Sequence, residues 1–180
     1  LRNSYDFIDK TKNLNVRMHD LLVSFDIVNL YTNVPVDKTL ELVKNHLTAS
    51  SNMLPEAITE FIALLKEVLK QNYFKFDEKY YSQTEGLAMG SPLSCILADI
   101  YLNHIENEFI FSDKNKQKQK ILQYYRYVDD TILLFNGNAR QLDSLHNYLN
   151  SIAPNLKFTM EIEDSNRINF LDLTIEKLDN

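Results

Sequence analysis

The alternation of apolar and polar residues divides the chain into short strands and amphipathic helices. Residues 19–26 are a predicted strand, which places Leu22, Ser24 and Asp26 on one face and Leu21, Val23 and Phe25 on the other. Apolar residues recur at helical spacing over 36–48 and 55–71, and each of these segments starts beside a proline, so both are predicted helices. The other predicted elements are a loose helix at 4–18, a hairpin of 73–76 with 79–82, a helix at 91–110, strands at 122–128 and 131–135, a helix at 138–151, and strands at 157–163 and 168–176.

The order of these elements indicates an α+β fold, because pairs of neighbouring strands are separated by helices. We expect an antiparallel sheet with helices packed on one face. The last two strands, 157–163 and 168–176, are expected to form a hairpin across a polar turn at 164–167. No repeat or Gly/Ser-rich linker interrupts the 180 residues, which suits one domain or a part of one.

The composition is that of a soluble globular chain, with 44% hydrophobic and 24% charged residues. It excludes a wholly disordered chain, and no apolar run approaches the ~18 residues that span a bilayer. The single cysteine, Cys95, excludes an internal disulfide and indicates a reducing, intracellular compartment. Because Cys95 falls inside a predicted helix, we expect it to pack in the core.

The net charge of −6 counts against a broad basic surface for nucleic acid. The most basic stretch, Lys114 to Lys120, is open to two interpretations. It is a solvated loop, or it is a contact to a nucleic-acid template. The chain begins with Leu1 and has no signal-peptide pattern, so we expect it to be a piece of a longer protein.

The strongest candidate for chemistry is Asp129-Asp130, which stands between two predicted apolar strands. A two-residue hairpin turn usually takes Gly or Asn, since its backbone needs a positive φ. Neither residue is present, so another requirement is indicated, and a hard divalent cation such as Mg²⁺ is one that carboxylates meet. The alternative is an ordinary solvated acidic turn.

A third carboxylate, Asp26, ends the first predicted strand. Alone it is no more than a turn or helix cap. If the strands that carry Asp26 and Asp129-Asp130 are neighbours, however, three acids meet at one place. Such a cluster suits a pair of metal ions about 3.5–4 Å apart, which stabilises the attacking and leaving oxygens in phosphoryl transfer.

A glycine-bearing loop, Gly86 to Ser94, leads into the predicted helix at 91–110. Glycines in such a loop permit bending and close approach, and the helix N-terminus offers free N–H groups to an anion or a base pair. The alternative is a helix entry formed by Ser91 and Pro92 with no ligand.

In order along the chain, these segments resemble the palm of reverse transcriptases. Residues 24–35 (SFDIVNLYTNVP) resemble the first catalytic motif, residues 86–94 (GLAMGSPLS) the template-and-nucleotide loop, and residues 126–130 (RYVDD) the aspartate-pair motif. Residues 157–161 (KFTME) and 168–172 (INFLD) narrow the resemblance to the reverse transcriptases of Penelope-like retroelements. The resemblance covers about residues 3–176.

The resemblance implies a catalytic centre of Asp26, Asp129 and Asp130. These three side chains, with the backbone carbonyl of Ile27, would hold two Mg²⁺ ions, or Mn²⁺ in their place. Nucleotide binding would fall to Tyr31, which would exclude a 2′-hydroxyl, to Gly90 and Ser91 beside the nascent base pair, and to Lys157 at the pyrophosphate end. Primer and template would contact Met89, Tyr127, Phe170 and Leu171. Many relatives carry glutamine where this chain has Met89, so a hydrogen bond from that side chain is lost.

The resemblance also implies the function: an RNA-directed DNA polymerase that adds deoxynucleotides to a primer 3′-hydroxyl. Its partners would be an RNA template, a DNA primer and deoxynucleoside triphosphates, with no membrane involved and the nucleus as location. The fingers and thumb are expected to lie outside these 180 residues, and a GIY-YIG endonuclease to accompany them in the full-length protein. Two alternatives remain: a catalytically inactive nucleic-acid-binding remnant of the same fold, and a two-metal nuclease.

Overall fold

The computed structural model describes residues 1–178, which form two compact units. The first unit combines Leu1–Val28 with the chain from Asn107 onward, and the second is Asn29–Glu106. The helices and strands of the whole chain, in order, are α1 (Ser4–Thr11), β1 (Leu21–Ile27), α2 (Leu30–Asn33), α3 (Val36–Ser50), α4 (Pro55–Lys70), β2 (Tyr73–Phe76), β3 (Lys79–Ser82) and α5 (Pro92–Ile105). A π-helical turn (Glu106–Ile110) and a 3₁₀ turn (Lys118–Lys120) follow, and then β4 (Ile121–Tyr127), β5 (Asp130–Phe135), α6 (Ala139–Ile152), β6 (Phe158–Ile162), β7 (Arg167–Phe170) and β8 (Leu173–Glu176).

The first unit is built on a four-stranded antiparallel sheet in the order β4-β5-β1-β6. Helix α6 covers one face of this sheet. It begins with a capping box between Asn138 and Gln141, which satisfies its first free N–H groups. Its apolar stripe of Leu142, Leu145 and Leu149 is buried. The predicted α+β class, with an antiparallel sheet and a helix on one face, is confirmed.

The opposite face of the sheet is covered by α1 and by the β7–β8 hairpin, a layer that the sequence does not assign. Phe7 of α1 lies at its centre. The ring of Phe7 makes edge-to-face contacts with Phe170 at 5.2 Å and with Tyr125 at 5.5 Å between centroids. The buried members of this core are Phe7, Leu22, Ile132, Leu134, Ile168 and Phe170.

The predicted final hairpin is wrong in its pairing. Strand β6 pairs with β1, and the hairpin consists instead of β7 and β8. The expected polar turn does form at Ser165-Asn166, but only the isolated bridge between Asp164 and Arg167 closes it. The expected strand 168–176 is divided because Leu171 turns the chain with a φ of 55°.

In the second unit, α3 packs against both α4 and α5. Buried side chains in these helices include Leu40, Val43, Ile58, Leu65, Leu97, Tyr101 and Leu102. The β2–β3 hairpin forms as predicted, and all eight of its strand residues are exposed. No helix among residues 1–178 combines the length and the apolar character that crossing a bilayer requires.

Candidate active site

The structure brings the three predicted acids together at one end of the four-stranded sheet. Asp26 is the next-to-last residue of β1, Asp129 lies in the turn between β4 and β5, and Asp130 begins β5. The register pairs Phe25 with Thr131. One step further along the same antiparallel ladder, Asp130 therefore stands across from Asp26. The adjacency of the two strands, which the sequence leaves open, is what joins the acids.

Burial and electrostatic repulsion both raise the pKa of Asp26 and of Asp130. Burial raises the pKa of Asp130, and the negative charges of Asp129 and Asp26 raise it further. Burial and then the charge of Asp129 raise the pKa of Asp26, while the backbone N–H of Ile27 acts in the opposite direction. The site thus concentrates negative charge, which a cation would neutralise.

A divalent cation fits the chemistry of this donor set. Carboxylate and carbonyl oxygens are the ligands that Mg²⁺ prefers, and a cation converts the repulsion between the carboxylates into attraction. Within residues 1–178, no three Asp, Glu, His or Cys side chains already converge on one metal position. The acids that would hold Mg²⁺ are Asp26, Asp129 and Asp130, and the assignment of the metal itself is a proposal.

A cavity of about 300 Å³ opens beside Asp26 and Asp130. The sequence reasoning missed most of its polar wall, namely Ser24, Thr159, Glu161 and Asn169. The pairing of β1 with β6 explains these positions, since Ser24 faces Glu161 and Asp26 faces Thr159 in register. The period-two alternation in both strands carries this signal, but it becomes readable only once their pairing is known.

The turn that carries Asp129 holds a strained backbone. Its positive φ of 55° falls on Val128, a β-branched residue that rarely adopts this conformation. The guanidinium of Arg126 donates to the carbonyl oxygen of Val128 at 3.2 Å. The turn is thus Val128-Asp129, one residue before the predicted Asp129-Asp130. Its positive φ is met at Val128 without Gly or Asn, at a cost of about 1–3 kcal/mol.

Three further predicted residues lie at the same end of the first unit. Ile27 pairs with Phe158, and the N–H of Val28 donates to the carbonyl oxygen of Lys157 at 2.9 Å. Lys157 thus lies beside the end of β1, with its side chain exposed. Tyr127 closes β4 opposite Asp130. Their nucleotide and primer contacts stay predictions.

The two predicted primer residues differ in placement. The side chain of Phe170 is only 4% exposed and packs on Phe7, although it also lines the cavity beside the acids. Leu171 is half-buried in the turn of the β7–β8 hairpin and lines the same cavity. Because Phe170 is a core residue, Leu171 offers the more accessible surface of the two.

The remaining nucleotide-site residues belong to the second unit, where Tyr31 lies on the short helix α2. The sequence pattern does not predict this four-residue helix. The N–H of Leu87 donates to the carbonyl oxygen of Tyr31 at 2.7 Å. Gly86, at a φ of +75°, lies so close to Thr32 that an added Cβ would be 2.3 Å from the Thr32 carbonyl oxygen. The Tyr31 segment and the glycine-bearing loop are therefore joined at their backbones.

The tip of the glycine-bearing loop is open. Met89 is 67% exposed, and Gly90, at a φ of +86°, has no atom within 4 Å of where a Cβ would stand. Ser91 occupies the N-cap position of α5 without making a side-chain cap hydrogen bond. The buried Ser94 hydroxyl instead donates to the carbonyl oxygen of Ala88 at 2.6 Å. This loop thus presents an accessible tip on a fixed base.

The prediction that Cys95 packs in the core is wrong. Cys95 is exposed. The buried side of α5 runs through Ser94, Leu97, Ala98 and Tyr101, and one residue along the helix from Ser94 points about 100° away. The Cys95 sulfur lies 3.3 Å from the hydroxyl of Tyr31.

The basic stretch from Lys114 to Lys120 pairs with acids close to it in the chain. Lys114 lies 3.5 Å from Glu108, and Lys118 lies 3.1 Å from Asp113. These exposed pairs contribute little stability, but they reduce the charge available to a template. The solvated-loop interpretation is favoured.

The chain belongs to the family described as "Reverse transcriptase (RNA-dependent DNA polymerase)", which matches residues 2–165. Among curated proteins, the telomerase reverse transcriptase of Oryza sativa subsp. japonica is 32% identical over 83 residues, which is 42% of this chain and 7% of that protein. The chain therefore spans a small part of this relative.

Two solved telomerase structures share the fold. Apo telomerase from Candida tropicalis, truncated from its C-terminal domain, superposes with a TM-score of 0.70 at 15% identity, covering 98% of this chain and 39% of that one. Telomerase from Candida albicans, in complex with a fragment of telomeric RNA, gives a TM-score of 0.71 at 15% identity, covering 98% of this chain and 33% of that one. At this identity the likeness establishes a reverse-transcriptase-like fold.

Proposed function

We propose that this chain is the palm of an RNA-directed DNA polymerase that extends a primer with deoxynucleotides. The observation that carries the proposal is the meeting of Asp26, Asp129 and Asp130 at one end of an antiparallel sheet in a reverse transcriptase domain. An acidic turn with a purely structural role would need a carboxylate at only one of these three positions. Three carboxylates that repel one another on neighbouring strands destabilise the fold unless a bound ligand offsets the repulsion.

In the proposed reaction the primer 3′-hydroxyl attacks the α-phosphate of a deoxynucleotide and pyrophosphate leaves. Asp26, Asp129 and the backbone carbonyl of Ile27 would hold two Mg²⁺ ions, with Asp130 assisting. When bound, these ions supply charge neutralisation at the reacting phosphate. The sheet holds the acids in place before substrate binds, so orienting them costs little free energy during the reaction. Leu171 and Tyr127 border the primer and template, and Lys157 contacts the pyrophosphate end.

Selection of the sugar falls to Tyr31. In this proposal its ring packs under the sugar and excludes a 2′-hydroxyl, so deoxynucleotides are used in preference to ribonucleotides. Met89, Gly90 and Ser91 contact the nascent base pair from the exposed loop tip. The hydrogen bond from Leu87 to Tyr31 and the close packing of Gly86 on Thr32 support the interpretation of the loop and the Tyr31 segment as a single nucleotide-binding element.

We further propose that the chain comes from a Penelope-like retroelement and acts in the nucleus. The support is the KFTME and INFLD segments, in addition to the three shared motifs. The rival subtype is telomerase, which the sequence similarity to the Oryza protein favours. The complete gene discriminates between them: a GIY-YIG endonuclease encoded with this domain supports the retroelement. A fluorescent fusion of the full-length protein tests the location.

Two alternatives remain. A catalytically inactive nucleic-acid-binding remnant of the same fold is one of them, but the net charge of −6 weakens binding of a polyanion and so does not favour it over the polymerase. A two-metal nuclease would use the same acids. It leaves the Tyr31 segment and the loop from Gly86 to Ser94 without a role, so we rank it last.

The deciding experiment is primer extension on an RNA template with deoxynucleotides and Mg²⁺. The chain is assayed beside a version extended at both ends, each with Asp26→Asn and, as matched control, Asp143→Asn, at an exposed aspartate of α6 in the same unit. Extension that is lost in Asp26→Asn and kept in Asp143→Asn supports the polymerase. Template binding without extension by both folded versions would favour the remnant, and degradation of the template would favour the nuclease.

A further inference from the structure

We propose that Cys95 is a positioning residue for Tyr31 and thereby helps to set the preference for deoxynucleotides over ribonucleotides. This inference rests on the proposed function, because it concerns the residue that would exclude the 2′-hydroxyl. Its evidence is a contact between two side chains of the second unit: the Tyr31 hydroxyl lies 3.3 Å from the Cys95 sulfur. Either group can donate this hydrogen bond.

The contact acts on the part of Tyr31 that the backbone does not fix. The carbonyl oxygen of Tyr31 accepts from the N–H of Leu87 at 2.7 Å, and the neighbouring Thr32 lies against Gly86. These joints hold the base of the side chain. Two side-chain torsions decide where the far edge of the half-buried ring lies. A hydrogen bond at the hydroxyl restricts both torsions at once.

A ring held at its far end discriminates better than a mobile one. Selectivity is the difference between the transition-state affinities for the two sugars, and the steric penalty for a 2′-hydroxyl falls if the ring can turn aside. Sulfur is a weak hydrogen-bonding partner, and the low end of the range for one net hydrogen bond corresponds to roughly 2- to 3-fold in such a ratio. The expected contribution of Cys95 is therefore a modest factor added to the main effect of Tyr31.

The position of Cys95 makes a purely structural role easy to separate. Its side chain is exposed, so its removal leaves no cavity in the core. The next residue on α5, Ile96, is 58% exposed and provides a matched control for truncation at this helix surface. If Cys95→Ala destabilised the fold, the temperature of thermal unfolding would fall. A change in sugar selectivity alone would leave that temperature unchanged.

The first test measures kcat/KM for a deoxynucleotide and for the matching ribonucleotide. We expect Cys95→Ala to lower the deoxy-to-ribo ratio by roughly 2- to 3-fold, Cys95→Ser to keep most of the ratio, and Ile96→Ala to leave it unchanged. An unchanged ratio in Cys95→Ala, in a polymerase that is active, overturns the proposal. An equal fall in Ile96→Ala also overturns it, since the effect would then come from the helix surface.

The second test needs no polymerase activity. Cys95 is the single cysteine of the chain, so its rate of reaction with a disulfide reagent reports on its surroundings alone. We expect Tyr31→Phe to change this rate at least about twofold, because the hydroxyl beside the thiol is lost. Tyr73→Phe, at a tyrosine 67% exposed on β2, is the control and leaves the rate unchanged.

The two tests separate failure of this inference from failure of the proposed function. Equal thiol rates in the unaltered chain and in Tyr31→Phe show that the contact is absent, whatever the activity, and overturn the inference alone. If both the chain and its extended version are folded but never extend a primer, the proposed function falls and the selectivity role falls with it. A changed thiol rate would then still establish the contact.

Discussion

Two hairpins of this protein have short polar turns without glycine, yet they differ in almost everything else. The β2–β3 hairpin turns at Asp77-Glu78, where both residues have positive φ, and its strands are exposed on both faces. The β4–β5 hairpin turns at Val128-Asp129, and residues 131–135 of its second strand are all buried. An isolated two-stranded hairpin is marginally stable, whereas one inside a covered sheet is held on both faces.

The difference teaches where a protein can place strain and repelling charge. Val128 adopts a conformation that costs about 1–3 kcal/mol, and the neighbouring acids repel one another. The buried strand that follows supplies the compensating free energy, since Leu133 and Phe135 are within 2% of complete burial. The β2–β3 hairpin has no buried side chains to supply such free energy, and the acids in its turn are exposed to solvent.

The largest expected effect separates the two turns by chemistry. Asp129→Asn should reduce primer extension on the order of 10³-fold or more, because it removes a proposed metal ligand worth several kcal/mol at the transition state. Asp77→Asn, the matched change in the exposed turn, should leave extension unchanged. Single-turnover extension measures both, with circular dichroism to show that each variant is folded. Full activity in Asp129→Asn contradicts the proposed site.

A smaller effect separates the two hairpins by stability. Phe135→Ala should lower the free energy of unfolding by about 3–5 kcal/mol, because a completely buried ring is lost and a cavity remains. Phe76→Ala, at a ring that is 68% exposed, should cost less than about 0.5 kcal/mol. Urea titration measures both values. A cost above 2 kcal/mol for Phe76→Ala would show that this hairpin is covered in solution.

Relief of the strained turn should be worth less again. Val128→Asn should raise the free energy of unfolding by about 1 kcal/mol, since Asn tolerates positive φ far better than a β-branched residue. If the strained turn also positions Asp129, the same variant extends primers more slowly. In the exposed turn Glu78→Asn, at a φ of 59°, should leave extension unchanged. Its gain in stability should be only a few tenths of a kcal/mol, because glutamate is not β-branched and the change also removes the exposed ion pair with Lys75. Destabilisation by Val128→Asn would show that the valine side chain is needed there.

The smallest expected effect concerns pH and the helix that covers the β4–β5 hairpin. The backbone N–H of Arg2 and the charges of Arg2 and Lys10 lower the pKa of Asp6 in α1 to about 2. Because the folded pKa lies below the ordinary value of about 3.9, Asp6 stabilises the fold above that value. This contribution disappears as the pH falls from about 4 to 2. Thermal unfolding over this range should lose stability faster in the unaltered chain than in Asp6→Asn, and parallel curves would contradict this.

The sequence predicted elements better than their partners. Both proline-started helices and the β2–β3 hairpin lie where local periodicity placed them, and the strands beside the acid pair lie within one residue of their predicted bounds. The pairing of β6 with β1 was missed, because alternation shows which face a residue takes but not which strand lies beside it. The short helix α2 was missed for another reason. It follows Asn29 in a left-handed conformation and is too short to carry a periodic signal.

The site divides in the same way. Asp26, Asp129 and Asp130 were identifiable because carboxylates at the ends of apolar strands are chemically conspicuous. Ser24, Thr159 and Glu161 were not, because each is an ordinary polar residue until β1 and β6 are paired. Cys95 was assigned to the core by residue type, whereas its position on α5, one residue beyond the buried Ser94, decides its exposure.

The close packing of Gly86 on Thr32 limits how this domain can be recombined. Two segments far apart in the chain meet backbone to backbone there, with no room even for a methyl group. A chimera that imports one of them from a distant relative brings in a loop fitted to a different surface. We therefore expect a working chimera to exchange both segments or neither.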